Sequence, residues 1–302
     1  MLNDWLELDG AREFLGELSD AAGTDLIRLG TAGSAEEIKD TAVAQPLIVA
    51  TALLSAWALE THLGPVTGWA GTVAGHSVGE FAATALAGVL TGAEATALVG
   101  VRGRAMARAA ALAQTGMAAV VGPDPQAATA AITAAGLVPA NVNGGGQIVA
   151  AGLTADLEAL AANPPEKTRV IPLAVAGAFH TEHMAPAVED LAGAAAGLEA
   201  RPPLLKLLSN ADGAAVSSGE QMLRSLVSQV TSPVRWDLCQ ETLREMGALA
   251  LIELAPGGVL TGLARRTLRG TPAVAIKGPA DLDAARALIA EHAPTDSAKE
   301  TE

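Results

Sequence analysis

The chain has 302 residues, enough for one large domain or for a large domain that carries a smaller insert. Its net charge of −14 argues against broad binding to nucleic acid or to an anionic membrane. The single cysteine, Cys239, excludes a disulfide framework and is expected to fill core space in a reducing cytoplasm. No uninterrupted apolar run of about 20 residues predicts a membrane span, and the first residues lack the features of a secretory signal.

Helical patterns dominate the region before residue 63. Residues 35–62 predict helix, with Pro46 in the first turn of the apolar part, where a missing N–H costs little. The short apolar stretch 67–74 predicts a strand, and the Ala-rich stretch 81–89 predicts a helix. A further helix is predicted over 93–113.

The pentapeptide Gly-His-Ser-Val-Gly at 75–79 lies between the predicted strand and helix. It matches G-x-S-x-G, the nucleophile elbow, in which a serine occupies a tight turn. Glycines at both ends are expected to allow the sharp turn and close packing of strand against helix. The turn lifts the Ser77 hydroxyl out of the sheet, beside a helix N-terminus that favours developing negative charge. A chance match is the alternative in a Gly- and Ala-rich chain, and the flanking pattern favours the elbow.

Residues 116–178 carry elements in the order β-α-β-β-α-β, which is the ferredoxin-like unit. We therefore predict a small ferredoxin-like subdomain over 116–178, inserted into a catalytic subdomain formed by residues 1–115 and 179–292. The predicted strands are 117–122, 137–143, 147–152 and 168–175, and the predicted helices are 125–135 and 154–162.

The region after the insert again mixes helix and strand. The polar residues 293–302 are expected to form a disordered tail. The predicted helices are 182–198, 219–230, 233–247, 259–268 and 280–292, and the predicted strands are 204–209 and 249–255.

A serine hydroxyl is a weak nucleophile until a base accepts its proton. Among the five histidines, His180 follows an apolar strand and a turn, where a strand end delivers a side chain to a site. His76 lies inside the elbow and suits substrate contact better than base work, because adjacent side chains on a tight turn point apart. We favour His180 as the base over a purely structural histidine.

A standard triad would add an Asp or Glu between the serine and the histidine in the chain. The acids in that interval mostly start helices or turns of the predicted insert, where acids are ordinary capping residues. None stands convincingly at a strand end, so the sequence argues against a standard triad.

Arg102 is the remaining informative side chain. At about 100° per residue it is turned about 200° from Arg104, which with Arg108 forms a solvated face, so Arg102 can point inward. A buried guanidinium needs an anionic partner, and its fork of donors suits a carboxylate. Spacing leaves two interpretations open, a site for a substrate carboxylate and a structural ion pair with a nearby glutamate.

Several motifs stand in one order along nearly the whole chain. They are GHSVGE at 75–80, VRGRAM at 101–106, NVNGGGQIVAAG at 141–152, GAFH at 177–180, SPVRW at 232–236 and APGGVLTGLARR at 255–266. Together they resemble the malonyl-CoA:acyl carrier protein transacylases and the acyltransferase domains of polyketide synthases. The resemblance implies an α/β fold, with an α/β-hydrolase-like large subdomain built on a parallel sheet and an inserted ferredoxin-like small subdomain.

The resemblance also implies a role for each motif residue. Ser77 would be the acylated nucleophile, and His180 the general acid and base. A backbone carbonyl, here that of Gln229, would replace the triad acid and fix the imidazole tautomer. The backbone N–H of Val78 would be one oxyanion donor. Arg102 would clamp the free carboxylate of a malonyl group.

Further residues are implied to line the acyl pocket. These are His76, Asn141, Asn143 and Phe179. In this family a Phe before the catalytic histidine and a Val after the serine are malonyl-like. Methylmalonyl-selective relatives tend to have Ser and Gln at these positions. Phe179 would therefore fill the space that an α-methyl group needs, a discrimination worth only about 1–3 kcal/mol.

The implied reaction is a ping-pong transfer of malonyl from malonyl-CoA to the phosphopantetheine thiol of acyl carrier protein, for fatty acid or polyketide synthesis. No metal or tightly held cofactor is implied. Arg265 and Arg266 fall where the family presents basic residues, and they would meet the acidic carrier protein. We expect no nucleic-acid or membrane partner.

One departure from the family pattern concerns the start of the chain. Family members begin with a strand and a Gly-Gln-Gly-x-Gln loop, whose Gln supplies a second oxyanion donor, and the sequence from Met1 onward has no equivalent. The resemblance therefore predicts a sheet that lacks a strand and an oxyanion hole that lacks a donor. We expect a misassigned start rather than an impaired paralogue.

Two other functions stay open at this point. A serine esterase or thioesterase would use the same Ser–His pair and release the acyl group to water. An impaired paralogue lacking the N-terminal oxyanion loop would bind carrier protein through Arg265 and Arg266 without chemistry. Arg102 and the predicted insert favour transfer over both.

Overall fold

The computed structural model describes residues 1–292, and the tail predicted to be disordered, 293–302, lies outside the described residues. The N-terminal region is helical, because capping side chains mark the starts of most of its helices and most of the helices bury apolar residues. Ser34 and Glu37 form a capping box, and the Asp40 carboxylate accepts the Ala42 N–H at the start of the longest helix. The helices are α1 (Ala11–Ala22), α2 (Leu26–Ala32), α3 (Ala35–Lys39) and α4 (Thr41–Leu63).

The helix α4 contributes seven buried residues to the largest core cluster. It begins at Thr41, so Pro46 lies in its interior and the predicted first-turn position is wrong. Asp40 supplies the cap that sets the earlier start. By length and composition α4 could cross a membrane, but 67% of its apolar window is buried inside the protein. It therefore serves as a core helix, packed against helix α6 (Gly92–Ala110).

The elbow joins a short strand to a helix. Strand β1 (Thr72–Val73) is followed by α5 (Gly79–Leu86), and β1 pairs in parallel with β6 (Lys206–Leu207). The strand is shorter than predicted, because residues 66–68 form a turn of 3-10 helix instead. Phe81 is fully buried and anchors α5 in the core.

The middle of the chain forms an antiparallel sheet. Its four consecutive strands are β2 (Thr115–Val121), β3 (Val138–Gly144), β4 (Gln147–Leu153) and β5 (Arg169–Pro172). They lie side by side in the order β5-β2-β4-β3. A fifth strand, β7 (Val234–Arg235), joins β3 in parallel, so the sheet extends beyond the predicted insert. The proposed boundaries at 116 and 178 stay a prediction. Helix α7 (Pro125–Ala134) connects β2 to β3, and helix α8 (Thr154–Ala162) connects β4 to β5.

The C-terminal region packs helices against short parallel strands. Strand β8 (Leu251–Glu253) lies within the predicted strand 249–255. It pairs in parallel with β9 (Ala273–Ala275), a strand that was not predicted from the sequence. Within residues 1–292 the pairs β1–β6 and β8–β9 are separate two-stranded sheets, with no backbone ladder between them. The predicted α/β class is confirmed. The helices are α9 (Val188–Ala196), α10 (Gly219–Ser228), α11 (Trp236–Glu245), α12 (Val259–Thr267) and α13 (Leu282–His292).

Candidate active site

The backbone of the elbow is tightly constrained. Ser77 has φ of 50°, in the left-handed region that non-glycine residues rarely occupy. A Cβ atom at Gly75 would lie 2.0 Å from the carbonyl carbon of Gly79, so only glycine fits there. A Cβ atom at Gly79 would meet no atom within 4 Å. The expectation that close packing requires a glycine at this position as well is therefore wrong. The close approach therefore depends on Gly75 alone.

The nucleophile candidate and the base candidate are in direct contact. Ser77 Oγ lies 2.7 Å from His180 Nε2. His180 Nδ1 lies 2.8 Å from the backbone oxygen of Gln229, which can only accept. The hydrogen is therefore on Nδ1, and Nε2 presents its lone pair to the serine hydroxyl. The carbonyl of Gln229 lies where a triad would place a carboxylate.

The imidazole of His180 is held neutral. Burial, and next the positive charge of Arg102, lower the pKa of His180 to about 3. His180 is only 3% exposed. A neutral ring is the form that can accept a proton from serine at physiological pH.

Arg102 is buried and reaches the nucleophile. Its Nη1 donates to Gln45 Oε1 at 2.6 Å, and its Nη2 donates to Gln229 Oε1 at 2.8 Å and to Ser77 Oγ at 3.4 Å. Among the described residues Arg102 forms no ion pair, and its Nε has no hydrogen-bond partner. Burial lowers the pKa of Arg102 to about 10, against the opposing charge of Glu80. The hydrogen-bond partners of this guanidinium are neutral, and no carboxylate among the described residues bonds it directly.

Of the four predicted pocket residues, His76 and Asn143 are hydrogen-bonded to each other, whereas Asn141 and Phe179 are not part of that contact. His76 Nε2 lies 2.8 Å from Asn143 Oδ1, and the His76 ring packs edge-on against Trp236. Burial lowers the pKa of His76, which favours the neutral ring. Asn141 is buried on the same strand as Asn143, with its side chain free of hydrogen bonds to residues 1–292. Phe179 is half-buried directly before His180.

The remaining predicted site residues lie at two helix ends. Val78 is the N-cap of α5, and its N–H donates to no group in the described part of the chain. Arg265 and Arg266 are exposed in the last turn of α12. That turn is tied to the site, because Thr267 donates to Gln240 and Gln240 donates to the backbone oxygen of Asn143.

Sequence reasoning missed four polar side chains around the elbow. They are Gln45, Glu80, Asn210 and the side chain of Gln229. Only Glu80 carried a signal, as an acid three residues after the serine on an otherwise apolar helix. The predicted core role of Cys239 agrees with its full burial, which raises the pKa of its thiol to about 12.

Fold and geometry together define a class of protein. A serine on a strained turn between strand and helix, with a neutral imidazole on its hydroxyl, is the arrangement of serine-nucleophile enzymes of the α/β-hydrolase type. The acyl transferase domain family matches residues 16–292. The chain belongs to this family, as the motifs indicated.

Individual relatives support the assignment along the chain. The malonyl CoA-acyl carrier protein transacylase of Mycobacterium tuberculosis is 53% identical over 283 residues, covering 94% of this chain and 93% of that protein. The protein of the same name from Escherichia coli is 33% identical over 284 residues, covering 91% and 90%.

Solved structures agree. The crystal structure of MCAT from Mycobacterium tuberculosis matches with a TM-score of 0.90 at 52% identity, covering 94% of this chain and 93% of that chain. A type II PKS acyl-carrier protein in complex with its malonyl-transacylase matches with a TM-score of 0.86 at 32% identity, covering 94% of each chain.

Proposed function

We propose that this protein transfers a malonyl group from malonyl-CoA to the phosphopantetheine thiol of acyl carrier protein. The observation that carries the proposal is the contact of Ser77 with both His180 and Arg102, at 2.7 and 3.4 Å. The first contact supplies an activated nucleophile. The second supplies a buried cation, which a hydrolase of uncharged esters does not need beside its serine.

The first half-reaction acylates the enzyme. His180 Nε2 accepts the Ser77 proton as Oγ attacks the thioester carbonyl of malonyl-CoA. The Val78 N–H is the oxyanion donor that this chain provides, at the N-terminus of α5. The resulting imidazolium donates through Nδ1 to the Gln229 carbonyl, which fixes its orientation without supplying a full negative charge. His180 then protonates the CoA sulfur as the C–S bond breaks.

The second half-reaction reverses these steps with another thiol. The phosphopantetheine thiol gives its proton to His180 and attacks the malonyl-serine carbonyl. Collapse of the tetrahedral intermediate breaks the bond to Ser77 Oγ, which regains its proton from His180. Each proton that His180 accepts is returned within the same half-reaction, so the enzyme ends in its starting state.

The pocket residues set which acyl group is held. The donors of Arg102 that have no partner in the structure bind the free malonyl carboxylate, whose two oxygens suit the guanidinium fork. Phe179 occupies space beside the acyl carbon and disfavours an α-methyl group. His76, Asn141 and Asn143 line the same pocket.

The carrier protein approaches over the basic end of α12. Arg265 and Arg266 are the exposed cations there, and an acidic carrier surface would be steered by them despite the net charge of −14. The single buried cysteine fits a cytoplasmic reaction. The product would supply fatty acid or polyketide synthesis.

Trapping of the acyl-enzyme tests the proposal. Wild-type protein mixed with malonyl-CoA should gain one malonyl group, located on Ser77 by peptide mass spectrometry. Ser77→Ala should gain none, whereas Ser228→Ala, at an exposed serine on α10, should be acylated like wild type. An adduct that persists in Ser77→Ala at the wild-type level contradicts the assignment.

A further inference from the structure

Glu80 is a buried carboxylate that the transfer mechanism does not use. It is 1% exposed and lies in the first turn of α5, three residues after the nucleophile. Its Oε1 accepts the backbone N–H of Asn210 at 2.6 Å, and its Oε2 accepts a hydrogen bond from Gln229 Nε2. Burying a carboxylate is costly, so this position needs an explanation.

Asn210 connects Glu80 to the backbone of the elbow. Its Oδ1 accepts the Ser77 N–H at 2.7 Å, and its Nδ2 donates to the Gly75 carbonyl at 2.8 Å. Both the oxygen and the nitrogen of the Asn210 amide therefore bind backbone groups of the turn. The Glu80 carboxylate holds the Asn210 main chain in the position from which that amide reaches Ser77.

Gln229 makes the second connection, and its orientation follows from donor and acceptor chemistry. Arg102 has only donors, so the amide oxygen of Gln229 must face it. The amide nitrogen then faces two acceptors, the Glu80 carboxylate and the Ser77 carbonyl at 3.1 Å. Glu80 thus fixes the amide that also positions the guanidinium of Arg102.

The backbone N–H of Ser77 is held by the Asn210 side chain and its carbonyl by the Gln229 side chain, and Glu80 accepts a hydrogen bond from each of these two residues. A non-glycine residue in the left-handed region persists only where its surroundings over-determine it. We infer that Glu80 is a positioning residue whose carboxylate, acting through Asn210 and Gln229, keeps Ser77 in its left-handed conformation and Arg102 aligned beside it. The inference rests on the proposed function, because it concerns the reactivity of the same serine.

Glu80→Gln is the informative substitution, because it changes one acceptor into a donor at constant size. The new amide group must face either the Asn210 N–H or the Gln229 amide nitrogen, and both are donors. Rotating the Gln229 amide only moves the mismatch, since its nitrogen would then face the Arg102 guanidinium. The mismatch therefore reaches Ser77 or Arg102 in every arrangement.

The test measures the reactivity of Ser77 with a small uncharged sulfonyl fluoride, which does not need the Arg102 charge. Each protein is assayed at the same interval below its own Tm. Glu80→Gln should lower the maximal labelling rate by about 10–100-fold, the scale of a misplaced reacting group, with little change in the reagent concentration for half-maximal rate. Glu94→Gln is the matched control, since Glu94 is the corresponding first-turn glutamate of α6 and caps Thr91.

The outcomes distinguish a failure of the proposed function from a failure of the positioning role of Glu80. Absence of Ser77 labelling in the wild type contradicts the proposed function itself. Labelling of folded Glu80→Gln at the wild-type rate, or a loss equal to that of Glu94→Gln, overturns only the positioning role. If Glu80→Gln does not fold, Glu80→Asp carries the test, because its shorter carboxylate cannot span both partners and should give an intermediate rate.

Discussion

The charge of Arg102 acts on two different groups in the site. In the proposed reaction it would bind the acyl carboxylate, and it also lowers the pKa of His180, second only to burial. The two effects oppose each other in the free enzyme, because a lower pKa makes the base weaker. A malonyl carboxylate bound to the guanidinium would offset this charge and raise the pKa of His180 again. An acyl group without a carboxylate would leave the base weakened.

Replacement of Arg102 should therefore separate the two acyl classes. In Arg102→Ala we expect malonyl transfer to fall about 10–100-fold, as for loss of a charged hydrogen bond, and acetyl transfer to be unchanged or to rise. The measurement is kcat/KM for malonyl-CoA and for acetyl-CoA. Arg108→Ala, an exposed ion-pair residue on the same helix, should leave both values unchanged. Equal losses on both substrates would remove the clamp role.

Residue identities at the site were predictable where a motif or a spacing rule applied. Ser77 came from the elbow, His180 from its place after a strand and turn, and Arg102 from its angle on a helix. Gln45 and Asn210 gave no signal, because a neutral amide is equally compatible with a surface and with a buried network. Their roles depend on partners 57 and 133 residues away in the chain.

At the scale of elements, the strand–turn–helix unit depends on one close backbone approach. Gly75 allows the turn to fold back onto the first residue of α5, whereas Gly79 faces open space. The strand that feeds the turn has only two residues and gains little stability from its own ladder. Packing at the turn must therefore supply much of the local order.

Two glycine substitutions distinguish these positions. Gly75→Ala should lower the free energy of unfolding by about 1–3 kcal/mol through overpacking, and should also abolish acylation. Gly79→Ala should keep a Tm at or above the wild-type value, because alanine is favoured over glycine in a helix. Thermal unfolding and malonyl-adduct formation are the measurements. A stable, active Gly75→Ala protein contradicts the structure of the turn.

The elements themselves were predictable in unequal measure. The middle β-α-β-β-α-β segment was readily predicted, since its strands are seven residues long except the last. The strand β9 was missed and β1 was overextended, because strands of two or three residues carry too short a pattern. The start of α4 was set by Asp40, which outweighed the preference of Pro46 for a first turn.

For the whole molecule, burial of His180 makes stability depend on pH. The lowered pKa of His180 makes its contribution present above about 6.5 and lost as pH falls towards 3. Burial also raises the pKa of Glu80, but both hydrogen-bond partners of its carboxylate are donors, which favours the ionised form and opposes that shift. Stability should therefore fall as pH drops from about 6.5 towards 3.

A pair of melting curves tests the acidic window. His180→Asn has no imidazole to protonate, so the Tm difference between wild type and this variant should shrink as pH drops from about 6.5 towards 3. A difference that stays constant over that range would contradict the lowered pKa of His180.

The central claim is that the acyl group on Ser77 passes to a thiol. Malonyl-enzyme isolated after a brief exposure to malonyl-CoA should be mixed with phosphopantetheine-bearing acyl carrier protein or with buffer alone, and its intact mass followed over time. We expect loss of the malonyl group at a rate that rises with carrier concentration, with the group recovered on the carrier, and slow loss in buffer. Loss at the same rate in both samples, with free malonate as the product, would contradict transfer and identify a hydrolase.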